Sequence, residues 1–209
     1  MNTILEAIFS FVISVIELLG YGGIFLLSLL ESANIPIPSE VVLPFSGFLA
    51  AKGAFVFWWV VAMGTLGNLA GSLVSYGVAH FFGRKPFEFL AKVFLVSWDD
   101  LDKAENWFKK YGNASVFFAR FVPVVRTFIS FPAGMFKVRL APFVALTLLG
   151  SFVWSWVLTY FGFVLGENWH SLKGYFKQFD YAILALLSLV VIWWIWRHVR
   201  QRQEESLKR

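Results

Sequence analysis

The chain has 209 residues, of which 58% are hydrophobic and 15% charged, with a mean hydropathy of +0.68 and a formal net charge of +5. Average soluble domains hold about 45–50% apolar and about 25% charged residues, so the composition excludes an ordinary soluble fold and predicts an integral membrane protein of one compact bundle. The absence of cysteine excludes a disulfide scaffold and thiolate metal sites, and the chain shows no basic leader with a small-residue cleavage site before Tyr21, so targeting is expected to reside in the membrane segments.

In residues 1–20, Glu6, Ser10, Ser14 and Glu17 recur at helical spacing and mark one polar stripe. That pattern predicts an amphipathic helix lying in the membrane interface. Residues 21–82 form a first unit. It opens with about nine apolar residues leading to Glu31, passes through a polar centre with Pro36 and Pro38, and resumes with about ten apolar residues after Glu40. Nine helical residues cover only about 14 Å, half the hydrocarbon core. Prolines lack an amide donor and disfavour helix at the residue before them. Irregular backbone at membrane depth is tolerated only inside protein or beside a cavity, so a re-entrant hairpin is expected, followed by a full span over 54–82.

Residues 83–110 are mixed in charge and predict an amphipathic loop rather than a nucleic-acid patch. Residues 111–166 form a second unit, in which FFARFVPVVRTFISFPAG (117–134) is broken at Pro123 and Pro132 and leads to a span over 141–165. A C-terminal span over 178–197 and a basic tail over 198–209 complete the chain. The loop holds Arg84, Lys85, Lys92, Lys103, Lys109 and Lys110, and the tail holds Arg197, Arg200, Arg202, Lys208 and Arg209. Lysine and arginine mark cytoplasmic segments, so both regions, the C-terminus included, are expected in the cytoplasm.

The two units repeat each other. YGGIFLLSLLE from Tyr21 matches YGNASVFFAR from Tyr111, each copy runs through a proline-bearing stretch to a glycine (Gly47; Gly134), and each ends in a similar phrase, YGVAHFFG and YFGFVLG. One crossing per unit starts the second unit on the opposite side, so the repeats are expected to be inverted, with a site between them near the midplane. The expected fold is therefore all-α, with an inverted repeat of hairpin plus transmembrane helix flanked by the N-terminal helix and the C-terminal span.

Charges at the bilayer centre cost about 2.5–3.5 kcal/mol each on insertion scales, so Glu31, Glu40, Arg120 and Arg126 must pair or face water. On straight helices Arg120 and Arg126 would lie about 120° apart and Glu31 and Glu40 on opposite faces; interruptions let each pair converge. One reading has the glutamates pin the hairpins together by neutralising the arginines. The other gives Arg120 and Arg126 to an anion, a phosphate before others, because the planar guanidinium fork binds its oxygens in pairs. Glu31 and Glu40 then serve as proton sites that compete for the same arginines. Ser72, Tyr76 and Thr127 are candidate cavity-lining residues. Gly67/Gly71 and Gly162/Gly166 form G-x-x-x-G pairs expected to pack helices, and His80 and His170 are expected to be interfacial filler. No hydrolase or nucleotide motif occurs.

The phrases ESANIPIPSEVVLPFSGFLAAKG, YGVAHFFGR, FFARFVPVVRTFISFPAG and TLLGSFVW resemble the DedA family of bacterial membrane proteins, whose VTT (SNARE-associated) core is shared with eukaryotic lipid scramblases. The resemblance covers about residues 21–169; the chain departs from it at Val124, where glycine is common, and at Ser72, where aspartate is. It implies paired re-entrant hairpins, functional acids at Glu31 and Glu40, and functional arginines at Arg120 and Arg126. The implied activity is proton-motive-force-linked flipping of undecaprenyl phosphate across the bacterial plasma membrane, for carrier recycling and envelope integrity. The partners would be lipid and protons, with no enzyme activity, cofactor, metal or nucleic acid. A broader phospholipid translocase or scramblase, a proton-coupled ion or small-solute transporter and a non-transporting assembly factor are the alternatives, and a homo-oligomer stays open.

Overall fold

Small polar residues and glycines make up most of the inner faces of the two longest helices, beside a few larger ones such as Val60, Val61, Tyr76 and Phe143. In the computed structural model, which describes residues 3–35, 37–83, 106–108, 112, 114–122 and 125–166, these helices are α4 (Phe57–Phe82) and α8 (Leu140–Gly166). Both are long and apolar enough to cross a membrane. The buried side of α4 carries Thr65, Asn68, Ser72 and Ser75 with Gly64, Gly67 and Gly71; that of α8 carries Thr147, Ser151, Ser155 and Thr159 with Gly150, Gly162 and Gly166. The exposed sides carry Trp58, Trp59, Leu66, Val74, Leu148, Leu149, Phe152, Phe161 and Val164. A soluble helix distributes these residues the other way. Apolar outside and small-polar inside is the pattern of helices packed together in lipid.

Ahead of α4 stand α1 (Thr3–Leu19), α2 (Tyr21–Ser32) and α3 (Ser39–Ala51). Gly20 joins α1 to α2 at φ +57°, in the left-handed region that glycine enters without steric cost. Val12 and Ile16 of α1 are buried in an apolar cluster with Ile24, Leu27, Val42 and Leu43, while Ser10, Ser14 and Glu17 are exposed. At these three positions the predicted polar stripe thus lies away from the core. At 12 and 13 residues, α2 and α3 are each too short to span. Between them Asn34 takes φ +70°, and Pro38 sits just before the first turn of α3.

The second unit is more broken. It comprises α5 (Ala114–Ala119), the single turn α6 (Val125–Phe128) and α7 (Ser130–Met135), followed by α8. The segment is interrupted at Ile129, between α6 and α7, just ahead of Pro132. Pro132 itself lies in the first turn of α7, where the missing amide would have had no intrahelical acceptor. Pro36, Pro123, most of the loop over 83–110, the C-terminal span and the tail lie outside the described residues.

The packing has an exchange symmetry. Helix α2 packs on α4 and α5 on α8, within their own units, whereas α3 packs on α8 and α7 on α4, across units. Glycines set these approaches. A Cβ on Gly67 or Gly71 would strike the Phe25 or Leu29 carbonyl of α2, and one on Gly162 would strike the Pro44 carbonyl of α3. The G-x-x-x-G pairs therefore act as expected, as helix-packing surfaces.

Candidate functional site

The break after α2 leaves Glu31 in that helix's last turn and puts Ser39 and Glu40 in the first turn of α3. From the other unit, α6 delivers Arg126. Its Nη2 donates to Glu31 Oε1 and to Ser39 Oγ, and at 3.3 Å to Glu40 Oε1. Glu31 Oε1 also accepts from the Ser39 amide at 3.3 Å. Glu31 and Arg126 are 3% and 6% exposed, but the Glu40 side chain is 46% exposed, so the ion cluster runs from a dry interior to an open rim. Pro44, inside α3, removes the amide that would bond the Glu40 carbonyl one turn back.

From α8, Trp154 presents its ring to Arg126, with the guanidinium carbon 4.9 Å from the ring centroid. That is cation–π range, where desolvation makes the interaction strongest. Arg126 Nε, Glu31 Oε2 and Trp154 Nε1 are buried and have no hydrogen-bond partner.

Arg120 follows α5 and is 3% exposed. Its Nη1 donates to the Arg126 carbonyl at 3.2 Å, and its Nη2 donates to Ser130 Oγ at 3.0 Å and Thr147 Oγ1 at 3.1 Å. Gly150 admits its stem, since a Cβ there would lie 2.9 Å from Arg120 Cγ. Among the described residues no carboxylate pairs with Arg120. The four charges expected to converge therefore divide. Arg126 joins both glutamates, while Arg120 holds the backbone that carries Arg126.

The candidate cavity-lining residues also make hydrogen bonds, and Tyr76 lines a cavity of about 520 Å³ with Leu73, His80 and Val138. Ser72 Oγ donates to the Asn68 carbonyl of its own helix at 2.6 Å, Tyr76 OH donates to the Val138 carbonyl at 2.6 Å, and the Thr127 carbonyl accepts from Asn34 Nδ2 at 2.9 Å. Asn34 also accepts from Ser75 Oγ at 2.5 Å, so one amide ties the turn of the first unit to α4 and to the second unit. Asn34→Gly keeps the positive φ and loses both bonds, a cost of about 1–3 kcal/mol at roughly 1 kcal/mol per bond. Asn34→Ala adds about 1–2 kcal/mol for left-handed backbone. Thermal unfolding of the purified variants in detergent should rank wild type above Asn34→Gly above Asn34→Ala.

Broken half-length helices, two apolar spans and a buried ion cluster between them define a polytopic helical membrane protein with its charged chemistry inside. The family model of the VTT domain matches residues 37–164. The chain is 34% identical over 173 residues to undecaprenyl phosphate transporter A of Bacillus subtilis, covering 83% of this chain and 85% of that one. It is 35% identical over 196 residues to an alkaline phosphatase-like protein of Lactococcus lactis, covering 91% and 92%, and 32% identical over 153 residues to protein DedA of Escherichia coli, covering 70% and 68%. No solved structure matches significantly. The chain belongs to the DedA family of VTT-domain membrane proteins and is a bacterial membrane protein.

Proposed function

We propose that this protein is a transporter that carries the phosphate group of a polyprenyl carrier, undecaprenyl phosphate, across the bacterial plasma membrane, with protons exchanged at Glu31 and Glu40. The observation that carries this reading is the arrangement around Arg126. Only Nη2 is engaged by the carboxylates, and Nε on the same edge of the fork has no partner. A guanidinium held from one nitrogen keeps capacity for a bidentate phosphate. Protonating the glutamates releases Arg126 to the phosphate, and deprotonating them displaces it. Glu31 Oε2, buried and unpartnered, is where the proton sits, and half-exposed Glu40 is its route to water. Arg120 adds a second buried positive charge to the phosphate site while fixing the Arg126 backbone.

The tail stays in lipid. An apolar groove of about 720 Å³ lies between α4 and α8, walled by exposed Trp58, Leu66, Leu148, Leu149 and Phe152. An outward-facing apolar groove suits a lipid better than a small solute. The name of the Bacillus subtilis relative supports the same substrate. We read α2–α3 and α5–α7 as the two re-entrant hairpins of an inverted repeat, and the exchange symmetry of their packing supports that reading. The basic residues of the tail support a cytoplasmic C-terminus.

Reconstitution of the full chain in liposomes with fluorescent undecaprenyl phosphate tests the proposal. Wild type should move the lipid and respond to a pH gradient, while Glu31→Gln should slow transport more than tenfold and lose that response. Unchanged transport in both Glu31→Gln and Arg126→Ala would sink the site assignment. Release of inorganic phosphate in the same vesicles would instead favour the phosphoester chemistry suggested by the name of the Lactococcus lactis relative. A folded wild type that does neither would point to an assembly factor.

A further inference from the structure

Trp154 closes the phrase TLLGSFVW but was given no role from the sequence, and in the structure it borders the ion cluster through Arg126. Its ring lies against the Arg126 guanidinium at 4.9 Å, and its indole N–H is shielded from solvent without an acceptor. Indole is a donor only. A buried donor left unmade keeps its full desolvation penalty, and tryptophan N–H groups ordinarily find a partner when buried. The neighbouring Arg126 Nε is a second unpartnered donor. Two unmade donors on groups in cation–π contact, beside a cluster whose bonded acceptors (Glu31 Oε1, Ser39 Oγ and Glu40 Oε1) all take Arg126 Nη2, suit an acceptor-rich anion.

We propose that Trp154 belongs to the anion site: its ring face holds the Arg126 guanidinium plane, and its N–H donates to an oxygen of the phosphate monoester that Arg126 binds. This rests on the phosphate reading of Arg126 given above. The neutral N–H adds a direction without adding charge, so it helps bind phosphate without opposing the return of the glutamates to Arg126. A point-charge cation in its place would hold the anion and block its release. The ring face is shared with a guanidinium that must alternate between carboxylate and phosphate, and stacking is the one contact that both states keep.

The test uses the full chain in proteoliposomes with farnesyl phosphate as a short, soluble-tailed probe and farnesol as its phosphate-free control. Trp154→Phe keeps the ring face and removes the N–H; Trp154→Leu removes both. For Trp154→Phe the expected result is a KM for farnesyl phosphate raised about tenfold, with the maximal rate within about twofold and the melting temperature near wild type, because hydrogen bonds to charged groups are worth about 1.5–3 kcal/mol. For Trp154→Leu the maximal rate should also fall, at least tenfold below that of Trp154→Phe. A merely structural tryptophan would lower stability and leave KM alone. Wild-type KM in Trp154→Phe overturns the N–H assignment, and wild-type behaviour in both variants overturns the whole inference. If Trp154→Leu does not fold, the KM of Trp154→Phe decides. Should wild type ignore farnesyl phosphate as it ignores farnesol, the phosphate reading of Arg126 fails instead.

Discussion

Arg126→Ala is expected to abolish transport and destabilise the fold, and adding Glu31→Gln is expected to restore the fold without restoring transport. The first variant strands a carboxylate that is 3% exposed, with only the Ser39 amide and hydroxyl close by. Removing one partner of a buried ion pair costs about 3–5 kcal/mol, because the other charge stays buried and uncompensated. Glutamine at position 31 keeps the shape and removes the charge, so most of that cost should disappear. Thermal unfolding in detergent measures the first effect and lipid-phosphate transport the second. If the arginine only pinned the two broken segments together, stability and transport would return together in the double variant. Arg126→Lys sharpens the same test. It keeps the charge but has neither the fork nor the planar face that lies on Trp154, so it should fold better than Arg126→Ala and transport little more.

Much of this site was legible before any coordinates, for a definite physical reason. Charge in an apolar run is so costly that Glu31, Glu40 and Arg126 had to meet one another or water, and the structure joins them. The spans were legible because length and apolarity are what a bilayer demands: expected over 54–82 and 141–165, they run over Phe57–Phe82 and Leu140–Gly166. Ser39, Ser130, Thr147 and Asn34 were not legible, since a hydroxyl or amide serves equally in packing, in bonding its own helix or in holding a guanidinium. Ser72 and Thr147 are both buried on spanning helices, yet one bonds its own backbone and the other holds Arg120. Only the meeting of two elements decides which. The contact of Trp154 with Arg126 was hidden for a related reason, because the phrase TLLGSFVW that ends in it does not say which element its ring meets. Proline was ambiguous in a different way. It ends a helix from within but begins one in the first turn, and Pro132 takes the second role. The division of labour between the arginines also lay beyond pattern, since it depends on Arg120 reaching the Arg126 carbonyl six residues away.

Among fold-directed changes, the largest losses are expected from filling the glycines that let one unit dock on the other. Gly47 and Gly134 occupy matching places in the two sequence copies. In the structure a Cβ on Gly47 would strike the Thr159 carbonyl of α8, and one on Gly134 would strike the Tyr76 carbonyl of α4. Both obstacles are backbone, which cannot swing aside as a side chain tip can. Gly47→Ala and Gly134→Ala should therefore each cost about 1–3 kcal/mol by overpacking, and leucine at either position should prevent the two units from docking. Gly22 and Gly77 are the controls: both lie within helices and have nothing within 4 Å of a built Cβ. Alanine there should stabilise by about 0.5–1 kcal/mol, the ordinary gain over glycine in a helix. Melting of the four single variants in detergent gives the ranking, and the double variant Gly47→Ala/Gly134→Ala gives the coupling. The two glycines lie at separate helix crossings, α3 on α8 and α7 on α4, yet both crossings close the same pair of units. Costs that add would make the crossings independent. A double variant that loses less than the sum would mean that the first substitution already parts the units, as two exchange-related contacts around one central ion cluster require.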